Sequence, residues 1–302
     1  MEQERFDPPI GVAEEIAPGL RRIVAPNPSP MTFRGTNTYI LGTKNLAIID
    51  PGPDNPDHLD AILSAIGEAK VRLIFVTHSH LDHSPLASKL ADQTHAPVLA
   101  FGDSSAGRSE IMTNLAAAGF VGGGEGVDPW FVPDREVVDG EMFFGAEWAL
   151  KVIHTPGHMG NHISLQWDNA IFTGDLVMGW ASSLVSPPDG DLSDFMASCE
   201  RLLSEKPDQL FPGHGAPVDT AMDRIEWLLE HRKGRTNDIL AALADGSQTV
   251  EQLTAEIYSE TPTALHPAAA RNLFAHLIDL SKRGEVSAEP TLRPDALFRR
   301  TT

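Results

Sequence analysis

The sequence predicts an α/β protein in which a two-sheet sandwich carries helices on its outside and a small helical domain follows. Two observations support the sandwich. Short apolar runs rich in β-branched residues alternate with stretches of helical periodicity, and four of these runs end in turns that present histidine or aspartate. A third observation divides the chain. Residues 1–230 hold the whole net charge of −19, whereas residues 231–302 carry as many basic as acidic side chains.

Taken in order, strands are expected at residues 38–41, 46–49, 73–76, 98–101, 150–153, 163–167 and 170–172. Helices fall between them. Residues 58–66 and 86–92 place apolar side chains three and four apart, and Asp191 suits the cap of a helix running to about Ser204. From 221 to 246 the pattern is helical, with Ile225, Leu228, Leu229, Ile239, Leu240 and Leu243 repeating at three and four. Thr249 is placed to cap a helix through Tyr258. Pro267 suits the first turn of another, which runs through Lys282 and stops at Gly284. Extended residues Glu285, Val286 and Ser287 follow, so the tail looks like a winged helix. The expected division is a catalytic domain over 1–222 and a winged-helix-like domain over 223–302. Three glycines at 122–124 make a short flexible loop, either a mobile lid or a surface connection.

The densest chemistry lies in Thr77-His78-Ser79-His80-Leu81-Asp82-His83-Ser84, directly behind the apolar run 73–76. Imidazole nitrogens and carboxylate oxygens are the ligands that borderline divalent ions such as zinc prefer. Four of them in six positions imply two ions. Side chains of this kind are costly beside an apolar strand without a partner. Further ligand types follow strand-like runs in Thr155-Pro156-Gly157-His158, Phe172-Thr173-Gly174-Asp175 and Phe211-Pro212-Gly213-His214. Each is a glycine and then a ligand at a strand end, where open sheets collect their sites.

His78, His80, Asp82 and His83 reproduce the His-x-His-x-Asp-His signature of the metallo-β-lactamase superfamily, which the chain resembles over nearly its whole length. The resemblance implies an αββα sandwich. It also implies that His78, His80 and His158 hold a first ion, that Asp82, His83 and His214 hold a second, and that Asp175 bridges them. Asp50, in Ile48-Ile49-Asp50-Pro51-Gly52, matches an aspartate that orients the ligand loop without touching an ion. Within the superfamily, Phe33-Arg34-Gly35-Thr36-Asn37-Thr38-Tyr39, the Pro-Gly-His-x-x-x-His form ending at His162, and Arg271-Asn272-Leu273 are similar to one branch. That branch contains the mitochondrial endoribonuclease beta-lactamase-like protein 2, and fungal acyl-carrier-protein thioesterases look similar. Two departures stand out. Ser84-Pro85-Leu86 replaces the usual glycine-rich helix start, and residues 102–134 form a longer stretch than in that enzyme.

Two divalent ions, zinc first, would acidify a shared water to a pKa of about 7 and so supply a hydroxide nucleophile. Asp82 is the expected catalytic carboxylate, orienting that hydroxide and passing a proton. His162, four residues after His158, is the expected substrate contact or proton donor to the leaving group. Ser79 and Ser84 are loop and helix-start residues, since no serine nucleophile is needed. Trp180, Ser182 and Ser183 follow Asp175 closely and are expected to border the substrate pocket. His266, before Pro267 at a helix start, is expected to help backbone N–H groups meet an anionic substrate.

Composition narrows the function. The single cysteine, Cys199, excludes an intramolecular disulfide and a cysteine-based zinc site, and reads as packing. The acidic start Met1-Glu2-Gln3-Glu4-Arg5 has no apolar core of a leader, and no run of about 18 apolar residues occurs. A cytoplasmic protein without a membrane anchor is expected. So acidic a body disfavours nucleic acid. Among rival chemistries, diiron flavoprotein relatives place glutamate where His80 stands, and mononuclear dioxygenases lack the second ligand set. The short separation of Asp175 and His214 leaves no room for the domain that long-RNA-processing relatives insert there. The expected substrate is therefore an acyl ester or thioester, with single-stranded RNA as the alternative and a DNA-binding module without catalysis third. Nothing in the sequence indicates an oligomeric state.

Overall fold

A computed structural model of the chain describes residues 5–301. Residues 1–4, on which most of the leader expectation rests, lie outside it. The chain opens with β1 (Glu14–Ala17), β2 (Leu20–Val24), β3 (Asn37–Leu41) and β4 (Asn45–Ile49). Next come α1 (Pro56–Ile66), β5 (Lys70–Phe75), α2 (Leu86–Thr94), β6 (Val98–Ala100), α3 (Glu110–Ala117) and β7 (Arg135–Glu136). These strands make one seven-stranded sheet in chain order, antiparallel from β1 to β4 and parallel from β4 to β7. The second sheet uses β8 (Met142–Phe144), β9 (Ala149–His154), β10 (Ile163–Trp167), β11 (Ala170–Gly174) and β12 (Gln209–Pro212). Its order is β12-β11-β10-β9-β8, with α4 (Leu192–Glu205) as the crossover between β11 and its parallel neighbour β12.

Period-two patterning decides which face each strand shows. Tyr39 and Leu41 of β3, Ala47 and Ile49 of β4, Leu150 and Val152 of β9, and Phe172 of β11 meet in the core between the sheets. Their neighbours Ile40, Ile48 and Ile74 point the other way, onto Ile62 of α1 and Leu90 of α2. On the far side Ile153, Ile171 and Leu210 pack against Phe195 and Cys199 of α4. The layers are therefore helix, sheet, sheet, helix. Cys199 is fully buried, and burial pushes its thiol up to about 12, as a packing role requires. Asp191 caps α4 through the Ser193 amide at 2.9 Å, as the sequence anticipates.

The tail consists of α5 (Ala221–Ala242), α6 (Val250–Ile257), α7 (His266–Lys282), β13 (Val286–Glu289) and β14 (Leu297–Arg300). β13 and β14 form a two-stranded wing. Thr249 and Gln252 form a full capping box on α6. Helix α5 belongs to two cores: Ile225, Leu228 and Leu229 join the sandwich side, while Ile239 and Leu243 join the tail. The strands β1, β2, β7, β8 and β14 and the helix α3 were not expected. α3 forms within the long stretch 102–134 and sends Met112 and Leu115 into the core of the tail.

Candidate metal centre

All the expected ligands sit at one end of the sandwich, where β4, β5, β11 and β12 finish. Backbone hydrogen bonds join the two sheets there: Asn37 N–H donates to Gly213 O at 2.7 Å and Ile163 N–H to Thr77 O at 2.8 Å. Two glycines make the approach possible. A Cβ on Gly174, whose φ is 45°, would lie 2.6 Å from His162 Nε2, and one on Gly213 would lie 2.4 Å from Asp175 Oδ1. The glycine-then-ligand pattern in the sequence is thus a requirement for close packing.

His78, His80 and His158 form one group and Asp82, His83, Asp175 and His214 another. In the first, His78 Nε2 and His158 Nε2 each lie 3.0 Å from His80 Nδ1. Their other nitrogens are occupied: Nδ1 of His78 meets Thr77 Oγ1 at 3.0 Å, and Nδ1 of His158 meets the Leu184 carbonyl at 2.7 Å. The Nδ1 proton of His158 has only that carbonyl to go to, so Nε2 turns a lone pair inward. In the second group His214 Nε2 is 3.1 Å from Asp82 Oδ2 and 3.2 Å from Asp175 Oδ2, and its Nδ1 donates to Gly35 O at 3.2 Å. His83 Nδ1 donates to Asp50 Oδ2 at 2.9 Å. Asp175 lies between the groups, with Oδ1 3.5 Å from His83 Nε2 and Oδ2 3.7 Å from His158 Nε2.

The donor set fits divalent cations. His83 Nε2 and Asp175 Oδ1 are buried without a hydrogen-bond partner among the described residues, which is costly unless something charged sits beside them. Protons divide the same way. Burial, with neighbouring imidazoles, holds His78 well below the ordinary histidine value and brings His80 down to about 3; burial also lowers His158. In the second group burial is outweighed by facing charges. Asp175 and Asp82 carry His214 up to about 10, and Asp82, Asp175 and Asp50 hold His83 well above the usual value. Against the same burial, His83 and His214 keep both carboxyls below theirs. The first group is thus short of protons, and the second demands positive charge.

Asp50 sits behind the ligands. Its Oδ1 accepts from Thr77 N at 2.7 Å, and Oδ2 accepts from Thr77 Oγ1 at 2.8 Å as well as from His83. The expectation for His162 needs correction. It is fully buried, its Nδ1 meets Thr155 Oγ1 at 3.0 Å, and its Nε2 accepts from the Asp175 amide at 3.2 Å. With both nitrogens engaged and no face on the cavity, it holds the backbone of Asp175 and cannot protonate a leaving group. Sequence reasoning assigned no role to Thr77 or to Thr36, whose Oγ1 lies 3.3 Å from Asp82 Oδ2, although both stand inside quoted motifs.

A cavity of about 380 Å³ opens above the ligands. His80, Asp82, His158, Asp175 and His214 form its floor. Met178 and residues 180–184 form one side, which places Trp180, Ser182 and Ser183 at the cavity as expected. The Ser183 hydroxyl donates its proton to Leu176 O at 3.0 Å, so it has no O–H left to offer a substrate. Tyr258, Thr261, Leu265, Ala268, Ala269 and Asn272, all from the tail, form a second wall, and Pro30, Met31, Gly124 and Glu125 complete the rim. The structure does not bring His266 to the cavity. Its Nε2 lies 3.1 Å from Thr261 O, where the ring closes the turn before α7, so the segment contributes its neighbours instead.

Fold and site together define a metal-dependent hydrolase, and the chain belongs to the metallo-beta-lactamase superfamily, whose pattern matches residues 31–214. A beta-lactamase associated winged helix domain matches residues 249–293. The chain is 32% identical to a beta-lactamase-like protein 2 homolog of Drosophila melanogaster over 92% of each chain. It is 29% identical to an atrochrysone carboxyl ACP thioesterase of Claviceps purpurea, over 84% of this chain and 76% of that one. A beta-lactamase domain protein from Burkholderia ambifaria shares the fold, with a TM-score of 0.78 and 23% identity over 99% of this chain and 98% of that one. No helix among the described residues is long and apolar enough to cross a membrane.

Proposed function

We propose that this hydrolase holds two divalent ions, zinc first, and cleaves an acyl ester or thioester. The observation that carries the substrate class is the cavity lining. Among the described residues no lysine or arginine borders it, one glutamate does, and the tail presents carbon through Leu265, Ala268 and Ala269. A phosphodiester chain is held by cationic side chains and backbone donors, whereas an acyl group needs apolar surface and a few polar anchors. A relative named as a thioesterase supports the same reading.

His78, His80 and His158 would hold one ion, Asp82, His83 and His214 the other, with Asp175 between them. When bound, the ions supply Lewis acidity and an activated water. Asp82 lies on the cavity floor with Oδ2 directed among His214, His83 and Thr36, where it can orient the attacking water and accept its proton. Thr77, Asp50 and the Leu184 carbonyl fix the imidazole rings from behind.

A second reading, cleavage of single-stranded RNA, rests on one feature. Phe6, Phe33 and Trp180 form a stack with centroids 6.2 and 5.0 Å apart, leading to the cavity beside Arg34, which lies 5.2 Å from the Phe33 ring. Zinc-reconstituted protein assayed on a panel of acyl thioesters and on labelled single-stranded RNA separates the two. Thioester turnover without RNA cleavage is expected. RNA cleavage with every thioester left intact would overturn the acyl assignment.

A further inference from the structure

Arg232 lies on α5, outside the cavity, and is 3% exposed. No carboxylate pairs with it among the described residues. Its Nη2 donates to Ser182 O at 2.8 Å and to Ser183 O at 2.6 Å, while Nη1 donates to Asn272 Oδ1 at 3.0 Å. The guanidinium also faces the Phe195 ring at 5.1 Å. Burial lowers it to about 10, so it remains charged at neutral pH. A buried charge without a counter-ion is costly, and here main-chain and amide oxygens are what offset it.

Those oxygens belong to a segment with a second task. Ser182 and Ser183 border the cavity, and the next carbonyl, Leu184 O, receives the His158 Nδ1 proton at 2.7 Å. One residue further, the Val185 amide donates to Asn272 Oδ1 at 2.9 Å, the same oxygen that Arg232 holds. The tail therefore grips residues 182–185 at both ends, and the grip closes on the carbonyl that sets the ring of one expected ligand.

We propose that Arg232 and Asn272 are positioning residues for the metal site: they hold residues 182–185 so that Leu184 O fixes His158, which gives the winged-helix domain a part in ion binding. The inference rests on the ligand set given above and not on the substrate. A carbonyl that shifts by a few tenths of an ångström loosens the ring it orients, and partners of this kind are worth about 10- to 100-fold in metal affinity.

The test is zinc affinity of the full chain by competition with a chromophoric chelator. Arg232→Met, Arg232→Lys and Asn272→Ala are compared with Leu253→Ala, which opens the core of the tail without touching the segment. Arg232→Met and Asn272→Ala should each weaken one of two zinc equivalents by about 10-fold or more. Arg232→Lys should fall between them and wild type, and Leu253→Ala should lower thermal stability with both affinities intact. If Arg232→Met does not fold, Asn272→Ala against Leu253→Ala decides. Zinc affinities in Asn272→Ala no weaker than in Leu253→Ala would overturn the proposal. Because the readout is zinc alone, it decides this point whichever substrate the enzyme takes.

Discussion

The floor of the cavity is a set of histidines and aspartates from strand ends, most of them fixed from behind by a protein hydrogen bond. The wall that faces it is Leu265, Ala268 and Ala269 on and beside one helix of the tail, and these meet the cavity with carbon. A polar atom on the floor cannot move without stranding another, whereas a methyl group on the wall can change size with only local repacking. On the proposed function the contrast is a division of labour: the floor would fix the reaction, and the wall what the reaction acts on.

The sharpest break of that division is at Asp175, whose carboxylate oxygens lie within 3.7 Å of imidazole nitrogens in both ligand groups. Asp175→Ala should nearly abolish turnover and reduce bound metal, with the thermal midpoint little changed. Wild-type turnover in a folded variant would remove the floor from the mechanism. Next is Asp50, which bonds the expected ligand His83 and does not border the cavity. Asp50→Asn keeps its shape but weakens the bonds to His83 and Thr77, and activity should fall about 10- to 100-fold. An unchanged rate would mean that the ligand loop holds itself.

Changes to the wall should show up differently. Leu265→Ala removes apolar contact and should raise KM for a long acyl substrate about 5- to 30-fold, about 1–2 kcal/mol, with kcat and metal content unchanged. A fall in kcat instead would put the wall into the chemistry. The smallest effect belongs to His276, deep in α7. Burial, followed by the charges of Arg232 and Arg235, holds it well below the ordinary histidine value of 6.5, so it is neutral in the fold. The unfolded chain takes up a proton near 6.5 and the folded one only at lower pH. The stability this group contributes is therefore complete above about 6.5 and declines as pH falls below it. Replacing His276 with Asn should flatten the fall in thermal midpoint over that window. An identical slope in the variant would assign the pH dependence elsewhere.

The same contrast explains what the sequence reveals. Ligands on the floor stand out because they combine rare residue types with glycines that only a close approach demands, as at Gly174 and Gly213. The sandwich is legible for a similar reason, since Ile48 and Ile49 alternate between two cores as a strand must. The wall is not legible. Leu265 and Ala268 are the residue types of any helix, and only tertiary packing brings them over the expected metal ligands far away in the sequence. His162 shows the opposite failure: it carries the same signal as a ligand, but two local bonds use up its ring. α3 escaped because its apolar residues, Met112 and Leu115, answer to a core formed by the distant tail.

Metal content tests the central claim most directly. Protein purified without chelator and then equilibrated with zinc is measured by elemental analysis, alongside the rate on its best substrate at each occupancy. Two equivalents per chain are expected, with full activity reached only as the second ion binds. Saturation at one equivalent, with full activity, would contradict the account.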